Sequence, residues 1–274
     1  MIPALFEYRR AGSVEEALSL LAQDPDTTKL LAGGHSLLPL MKLRLAAPTM
    51  LVDVGRLGDL RYVREEGDQV VIGALTRHRD LEASEVARAH APLLAYVASQ
   101  VGDPQVRHRG TIGGSLAHGD PASDLPAAVL ALGGTLVIQG ATGTREVPAD
   151  SFFRGFLETA VGPDEMLTEI RVPKVAGGWA FHKFNRRAQD WAIVAVAAVV
   201  GSAPRVALVN MGSTPLRARA VEEALAGGAD AVAAAATAAE GLDPPSDLHA
   251  SAGYRSHLAT VLVRRALEDA AARA

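Results

Sequence analysis

Residues 31–39 read Leu-Ala-Gly-Gly-His-Ser-Leu-Leu-Pro, and residues 103–118 read Asp-Pro-Gln-Val-Arg-His-Arg-Gly-Thr-Ile-Gly-Gly-Ser-Leu-Ala-His. Each stretch contains a glycine pair, the first after a predicted strand and the second before a predicted helix. Glycine permits positive φ and a close approach to the backbone, so several N–H groups of such a loop can point at one anion. Diphosphates are held in this way, and the pair of stretches is more specific than either one alone.

Glycine pairs of this kind also occur where no anion is bound. Neither stretch matches Gly-x-Gly-x-x-Gly or Gly-x-x-x-x-Gly-Lys-[Ser/Thr], which disfavours a Rossmann site and a P-loop. A glycine pair after a strand is also an ordinary turn, and His35 can cap such a turn. Ser36 lacks the Gly-x-Ser-x-Gly surroundings of a hydrolase nucleophile.

The rest of the chain predicts a mixture of helices and strands. Aliphatic runs bounded by turn residues indicate strands at 29–32, 50–54, 70–75, 135–139, 165–172, 179–184, 192–200 and 204–211. Helical spacing and capping residues indicate helices after Ser13, over 76–90 with Thr76 as the cap, over 92–101 and 123–132, from Ser213–Pro215 to Gly227, and over 257–272. The alanine content of 192–200 is also compatible with a helix. We predict a glycine-rich loop at 110–120, a domain boundary at 173–178 and weak structure at 229–248.

Composition restricts the classes of function that this chain of 274 residues can perform. It has no cysteine, which excludes disulfides, cysteine-ligated iron–sulfur clusters and a cysteine nucleophile in this polypeptide. The formal net charge is −4, so a nucleic-acid footprint is not expected. The histidines other than His35 form no metal-ligand pattern, so we expect no metal. The longest apolar run, 192–200, is too short to span a membrane, and no secretory leader is visible, so we expect a cytoplasmic location.

The two glycine stretches also carry a family resemblance, together with Asp120-Pro-Ala-Ser-Asp124 and Lys183-Phe-Asn-Arg-Arg-Ala-Gln-Asp-Trp-Ala192. The chain resembles the FAD-binding medium subunit of molybdenum hydroxylases, most closely the type found in aerobic carbon-monoxide dehydrogenase and more distantly the FAD subunit of xanthine dehydrogenase. The resemblance implies an α+β fold. A vanillyl-alcohol-oxidase-type (PCMH-type) FAD-binding domain would occupy 1–175, with subdomains of about 1–55 and 56–175. A smaller sheet-plus-helix C-terminal domain would occupy 176–274.

The resemblance also implies which residues bind FAD. The two walls of the diphosphate site would be formed by Ala32, Gly33, Gly34, His35 and Ser36 and by Thr111, Ile112, Gly113, Gly114 and Ser115. Asp124 would accept a hydrogen bond from a ribityl or ribose hydroxyl, and Lys183 and Trp191 would line the flavin. Asp124 and Trp191 have plainer alternatives. Asp124 also suits the start of a helix, and Trp191 also suits a core or an interface. Gly119 stands where the family has alanine.

The function implied by the resemblance is electron transfer. FAD in this chain would receive electrons from [2Fe-2S] clusters of an iron–sulfur small subunit, while molybdopterin would lie in a molybdenum large subunit, and the assembly would be a dimer of heterotrimers. No catalytic acid–base pair is expected in this chain. Two rival hypotheses are a self-sufficient FAD-dependent oxidoreductase of the same fold and a non-enzymatic nucleotide-binding or scaffold protein in which both glycine stretches are tight turns.

Overall fold

The first three strands form a parallel sheet, and the first glycine stretch lies between the second and third of these strands in the chain. In the computed structural model, which describes residues 2–274, strand 50–53 lies in the middle of this sheet and pairs with strands 7–10 and 28–31. The elements in chain order are β1 (Glu7–Arg10), α1 (Val14–Leu21), β2 (Thr28–Leu31), α2 (Leu37–Lys42) and β3 (Met50–Asp53). The glycine stretch is therefore the connection between β2 and α2, at the carboxyl end of a parallel strand, where ligand sites are common in open α/β sheets.

Helix α1 begins at the predicted cap. The Ser13 hydroxyl accepts a hydrogen bond from Glu16 N at 3.2 Å, and the Glu16 carboxylate accepts one from Gly12 N at 2.6 Å. The second contact lies one residue earlier than in the usual capping box, but it satisfies a backbone donor in the same way. The helix buries Ala17, Leu18 and Leu21 against the parallel sheet.

The middle of the chain forms a five-stranded sheet in which all neighbouring strands are antiparallel. Its order is β4-β5-β10-β6-β7. The strands of this sheet are β4 (Val63–Glu66), β5 (Gln69–Gly73), β6 (Thr135–Gly140), β7 (Gly143–Pro148) and β10 (Met166–Pro173). Between β7 and β10 in the chain, β8 (Phe153–Gly155) and β9 (Glu158–Thr159) pair with each other in a separate two-stranded sheet. The predicted strands at 70–75, 135–139 and 165–172 are confirmed within two residues at each end.

Six short helices connect β5 to β6 and cover this sheet. They are α3 (His78–Ala83), α4 (Glu85–His90), α5 (Pro92–Ser99), α6 (Pro104–Arg109), α7 (Ile112–His118) and α8 (Asp124–Leu132). Every residue of α8 is buried. This follows from its position, because α8 contacts β10 of the middle sheet and also the next sheet along the chain.

Two predictions in this helical region were wrong. The single helix over 76–90 is divided at Ser84, whose side chain caps α4, and Thr76 is no cap because its hydroxyl bonds to the backbone of Tyr62. The glycine-rich loop at 110–120 is mostly helix α7. Glycine usually weakens a helix interior, but Gly113 packs so closely on Ala74 that its Cβ would lie 2.5 Å from the Ala74 Cβ. Gly113 thus serves close packing.

The last third of the chain forms a four-stranded antiparallel sheet covered by helices. Its order is β11-β12-β13-β14. The elements are β11 (Trp179–Phe184), β12 (Val194–Val199), β13 (Arg205–Val209), β14 (Leu216–Arg217), α9 (Arg219–Ala226), α10 (Ala231–Ala236) and α11 (Ala252–Ala271). The alanine-rich strand at 192–200 is confirmed as a strand, because it is buried between α8 and α11.

Three predictions in this last third need correction. No helix begins at Ser213–Pro215, since Leu216 pairs with Leu208 of β13 and α9 starts only at Arg219. Part of 229–248 is ordered as α10, capped by the Asp230 side chain. The terminal helix begins at Ala252 and not at His257, because Ser251 provides its cap.

The middle sheet and the last sheet share one hydrophobic core. Side chains from both sheets and from α5 and α8 belong to the same buried cluster. The chain leaves the middle sheet at Pro173 and enters the last one at Trp179, where Gly177 and Gly178 pass close to Val200 O and Ala270 O. Within residues 2–274, no helix combines the length and the apolar character that crossing a bilayer requires.

Candidate functional site

The two glycine stretches meet in space. A Cβ at Gly33 would lie 2.3 Å from the carbonyl O of Arg109 and 2.8 Å from the Cα of Gly110. The two backbones are thus in direct contact, and only glycine fits at position 33. Gly33 therefore lies directly against the 109–110 segment, which precedes residues 111–115 in the chain.

The connection between β2 and α2 presents unused backbone donors. None of the N–H groups of residues 33–36 donates a hydrogen bond within the part of the chain that the structure describes. Gly34 has a φ of +79°, a left-handed conformation that favours glycine, and its carbonyl accepts a bond from Leu38 N. Successive free N–H groups around a left-handed residue form a concave anion site.

The second stretch does not provide a matching set of free donors. Ile112 N donates to Thr76 O at 3.0 Å, Gly113 N donates to Ala74 O at 2.9 Å, and Gly114 N donates to Thr111 Oγ1 at 3.1 Å. Ser115 N also donates, to Thr111 O at 3.0 Å. The interpretation of 111–115 as a loop with several N–H groups aimed at an anion is therefore wrong for residues 112–115. The stretch instead offers the exposed Gly114 and the half-buried Ser115 as a surface without bulky side chains.

His78 supports the junction of the two stretches, and sequence reasoning did not single it out. Its backbone N donates to Gly110 O at 3.0 Å, and its ring would be 2.7 Å from a Cβ at Gly110. Burial lowers the pKa of His78 to about 4, and its Coulombic interactions with His35 and Arg107 make smaller contributions in the same direction. The ring is thus neutral near pH 7. Its spacing from Leu81, three residues on, was the signal that it lies on the buried face of α3.

The basic residues beside the second stretch have different environments. Arg107 is held by Glu82, with Nε 3.0 Å from Oε2, and by the carbonyls of Val101 and Gly102. Arg109 is exposed and forms no ion pair with another residue of 2–274. Of these two side chains, only Arg109 is available to an anion bound at the junction.

Asp124 and Lys183 form a buried ion pair between α8 and β11. Lys183 Nζ lies 2.7 Å from Asp124 Oδ2 and also donates to Gln100 O at 3.2 Å. The other carboxylate oxygen, Oδ1, has no hydrogen-bond partner. Burial raises the pKa of Asp124 to about 6, and the Lys183 charge only partly opposes that rise. The structure thus places two predicted site residues in contact, with one buried acceptor still unused.

Trp191 borders a separate cavity of about 1120 Å³. Trp191 is 57% exposed. The cavity is lined by the 120–122 segment, by Trp191 and by side chains that sequence reasoning did not select, among them Phe156, Asn210 and Arg255. None of residues 32–36 or 111–115 lines this cavity. The link between Trp191 and the glycine stretches is the 120–124 segment, which follows α7 directly.

Comparison with known families assigns both parts of the chain. Residues 4–175 match the family described as the FAD binding domain in molybdopterin dehydrogenase. Residues 179–270 match the CO dehydrogenase flavoprotein C-terminal domain. These matches confirm the α+β fold class, with a PCMH-type FAD-binding domain followed by a smaller sheet-plus-helix domain.

Individual relatives agree with this assignment over nearly their whole lengths. The chain is 46% identical to the carbon monoxide dehydrogenase medium chain of Hydrogenophaga pseudoflava, covering 100% of this chain and 99% of that one. It is 36% identical to the nicotine 6-hydroxylase medium subunit of Paenarthrobacter nicotinovorans, covering 99% of each.

Solved structures support the same assignment. A carbon monoxide dehydrogenase structure from Hydrogenophaga pseudoflava superposes with a TM-score of 0.96 at 47% identity, covering 100% and 99% of the two chains. Quinoline 2-oxidoreductase from Pseudomonas putida 86 superposes with a TM-score of 0.92 at 34% identity, covering 99% of each. The chain belongs to the family of FAD-binding medium subunits of molybdenum hydroxylases, and it is an oxidoreductase flavoprotein subunit.

Proposed function

We propose that residues 32–36 bind the FAD diphosphate through their backbone N–H groups. The free donors of residues 33–36 support this proposal, since they surround a left-handed glycine at the end of a parallel strand. A diphosphate carries two negative charges, and the exposed Arg109 beside Gly33 offers a compensating positive charge. The residues present therefore fit the group that the family binds.

We propose that the other predicted residues complete the FAD site together with residues 32–36. Thr111–Ser115 would form the second wall, with Gly114 leaving room for the cofactor. Asp124 would use its unpartnered Oδ1 to accept a hydrogen bond from a hydroxyl, and Lys183 would hold that carboxylate in place. Trp191 would lie against the flavin. On this proposal 1–175 forms the FAD-binding domain and 176–274 the C-terminal domain.

The proposed role in the assembly is to pass electrons from iron–sulfur clusters of a partner to an external acceptor. Bound FAD supplies a centre that accepts electrons from a cluster and delivers them to a final acceptor. The chain has no cysteine and so cannot ligate such clusters with thiolates. On this proposal the clusters lie in another polypeptide, and relatives named as a medium chain or a medium subunit support a multi-subunit enzyme. The proposed partners are an iron–sulfur small subunit and a molybdenum large subunit, the proposed assembly is a dimer of heterotrimers, and the proposed location is the cytoplasm.

The complex purified from native extract tests this role. We expect this chain to co-purify with two further polypeptides and with FAD, iron–sulfur and molybdopterin in comparable amounts. A donor should reduce the flavin in the complete complex but not in the purified chain loaded with FAD. Recovery of this polypeptide alone, with turnover from donor to acceptor, would instead favour the self-sufficient oxidoreductase, and a preparation without flavin would favour the scaffold protein.

Replacing Trp191 with alanine tests its place at the flavin. An electron-rich indole against the isoalloxazine quenches flavin emission, so Trp191→Ala should make the complex more fluorescent and change its reoxidation rate. The matched control is Trp179→Phe, because Trp179 packs against Tyr96 and Arg273 at the opposite end of β11 from the connection that contains Trp191. Emission that stays at the wild-type level in Trp191→Ala, at full FAD content, would assign Trp191 to an interface.

A further inference from the structure

Asn210 joins two segments that border the proposed flavin site. Its backbone N donates a hydrogen bond to Pro121 O at 2.8 Å, and its side-chain Nδ2 donates one to Ala192 O at 3.0 Å. Pro121 belongs to the 120–124 segment, and Ala192 directly follows Trp191. One residue at the end of β13 therefore holds these two segments at a set distance from each other.

The backbone conformation of Asn210 makes this double contact possible. Its φ is +62°, in the left-handed region, where asparagine is among the few residues other than glycine that occur readily. Because the chain turns there, the backbone N–H and the side-chain amide reach different segments. The residue type thus satisfies two requirements, a left-handed conformation and a side-chain donor.

Arg255 anchors the next carbonyl along the same segment. This arginine of α11 is completely buried, and its Nη1 donates to Ile193 O. Its Nε donates to Pro245 O at 2.9 Å, and its Nη2 lies 2.6 Å from Asp247 Oδ2. The two carbonyls that follow Trp191 are therefore both held by side chains from other elements.

The indole of Trp191 is not held in the same way. More than half of the residue is exposed, so packing against the protein restricts its side chain little. The backbone N of Trp191 donates a hydrogen bond to Oδ1 of the preceding residue, Asp190, at 3.0 Å. We propose that Asn210 is a positioning residue for Trp191: it fixes the backbone after Trp191 to the 120–124 segment and so sets where the indole lies. The inference rests on the proposed function only in assigning Trp191 to the flavin.

A single-tryptophan form of the full chain tests the positioning without any cofactor. The chain has two tryptophans, so Trp179→Phe leaves Trp191 as the only one. In that background, Asn210→Gly keeps the left-handed conformation but removes the donor to Ala192, and we expect a loss of Trp191 fluorescence anisotropy. Asn210→Asp, which also lacks the donor, should show the same loss. The control is Arg88→Ala in α4, which removes the hydrogen bond of 2.9 Å from Arg88 Nε to Glu82 O. This variant should leave the Trp191 anisotropy unchanged.

The flavin emission of the co-purified complex provides the second measurement. Asn210→Gly should change the emission in the same direction as Trp191→Ala, and it should have no effect when Trp191 is already alanine. This non-additivity distinguishes a residue acting through Trp191 from one that merely stabilises the fold.

Each outcome decides one question. Wild-type anisotropy in folded Asn210→Gly and Asn210→Asp chains would overturn the positioning role. An equal effect of Asn210→Gly on flavin emission with and without Trp191 would also overturn it. A wild-type complex that contains no flavin would overturn the proposed function, while the anisotropy measurement would still decide the role of Asn210.

Discussion

Replacing Gly114 with valine is expected to remove most of the FAD while leaving the fold intact. Gly114 lies on the exposed side of α7, and a Cβ there would meet only its capping partner, Thr111 Oγ1, at 2.8 Å. Disturbing this cap costs about 1 kcal/mol, of which replacing the helical glycine with the β-branched valine returns about 0.3 kcal/mol. The net cost is small beside the roughly 5–15 kcal/mol by which a typical domain is stable. The added side chain would occupy the surface that we assign to the diphosphate. We expect a loss of FAD of about tenfold or more, which corresponds to about 1.4 kcal/mol of binding free energy.

The neighbouring glycine provides the matched control. Gly113→Ala adds a smaller side chain, but its Cβ would lie 2.5 Å from the Ala74 Cβ and 2.6 Å from the Ala74 O. Such overpacking costs roughly 1–3 kcal/mol, so this variant should lose stability with or without FAD. Flavin absorbance and circular dichroism of the two purified variants distinguish these effects. A Gly114→Val protein that keeps its full flavin content would remove residues 111–115 from the proposed site.

Much of the secondary structure was predictable because local signals and burial agreed. The strand at 179–184 was predicted to the residue, and β5, β6 and β10 of the middle sheet were predicted to within two residues. The edge strands β4 and β7 were missed, because nearly all of their residues are exposed and they contain no apolar run. The prediction failed where tertiary contacts overrode a local signal. Gly113 and Gly114 suggest a loop, but contacts of α7 with residues 74–76 stabilise a helix there. Pro215 suggests a helix start, but pairing with β13 extends the sheet to Leu216 and Arg217.

The candidate site was predictable only where the chemistry lies in consecutive residues. The free N–H groups of residues 33–36 follow from the glycine pair after a strand. Contacts between distant segments carry no such local pattern. His78 reaches Gly110, and Asn210 reaches both Pro121 and Ala192, only because the fold brings them together. Asp124 and Lys183 were each selected through the family resemblance, but their pairing is visible only in the structure.

Breaking the Asp124–Lys183 ion pair is expected to cause the largest loss of stability among the variants considered. Lys183→Met would leave a buried carboxylate without its partner, which typically costs about 3–5 kcal/mol. In the double variant Asp124→Asn/Lys183→Met no buried charge remains, so most of the lost stability should return. The exposed pair Arg64 and Glu66 provides a control, since breaking a surface pair costs about 0–1 kcal/mol. Urea denaturation of the full-length variants measures all three effects.

The pH dependence of the same pair has a definite sign. The pKa of Asp124 is about 6 in the folded chain, above its ordinary value of 3.8, so the folded state binds the proton more tightly than the unfolded state. The contribution of Asp124 to stability is therefore greatest below about pH 4 and falls as the pH rises to about 6, by about 3 kcal/mol. In Asp124→Asn this contribution is absent. The free energy of unfolding of the wild type minus that of Asp124→Asn should thus decrease from about pH 4 to about pH 6.

Lys183→Met should extend the decrease to higher pH, because the unpaired carboxyl keeps its proton longer. A difference that stays constant across this range would show that Asp124 is ionised throughout, with its charge fully compensated by Lys183.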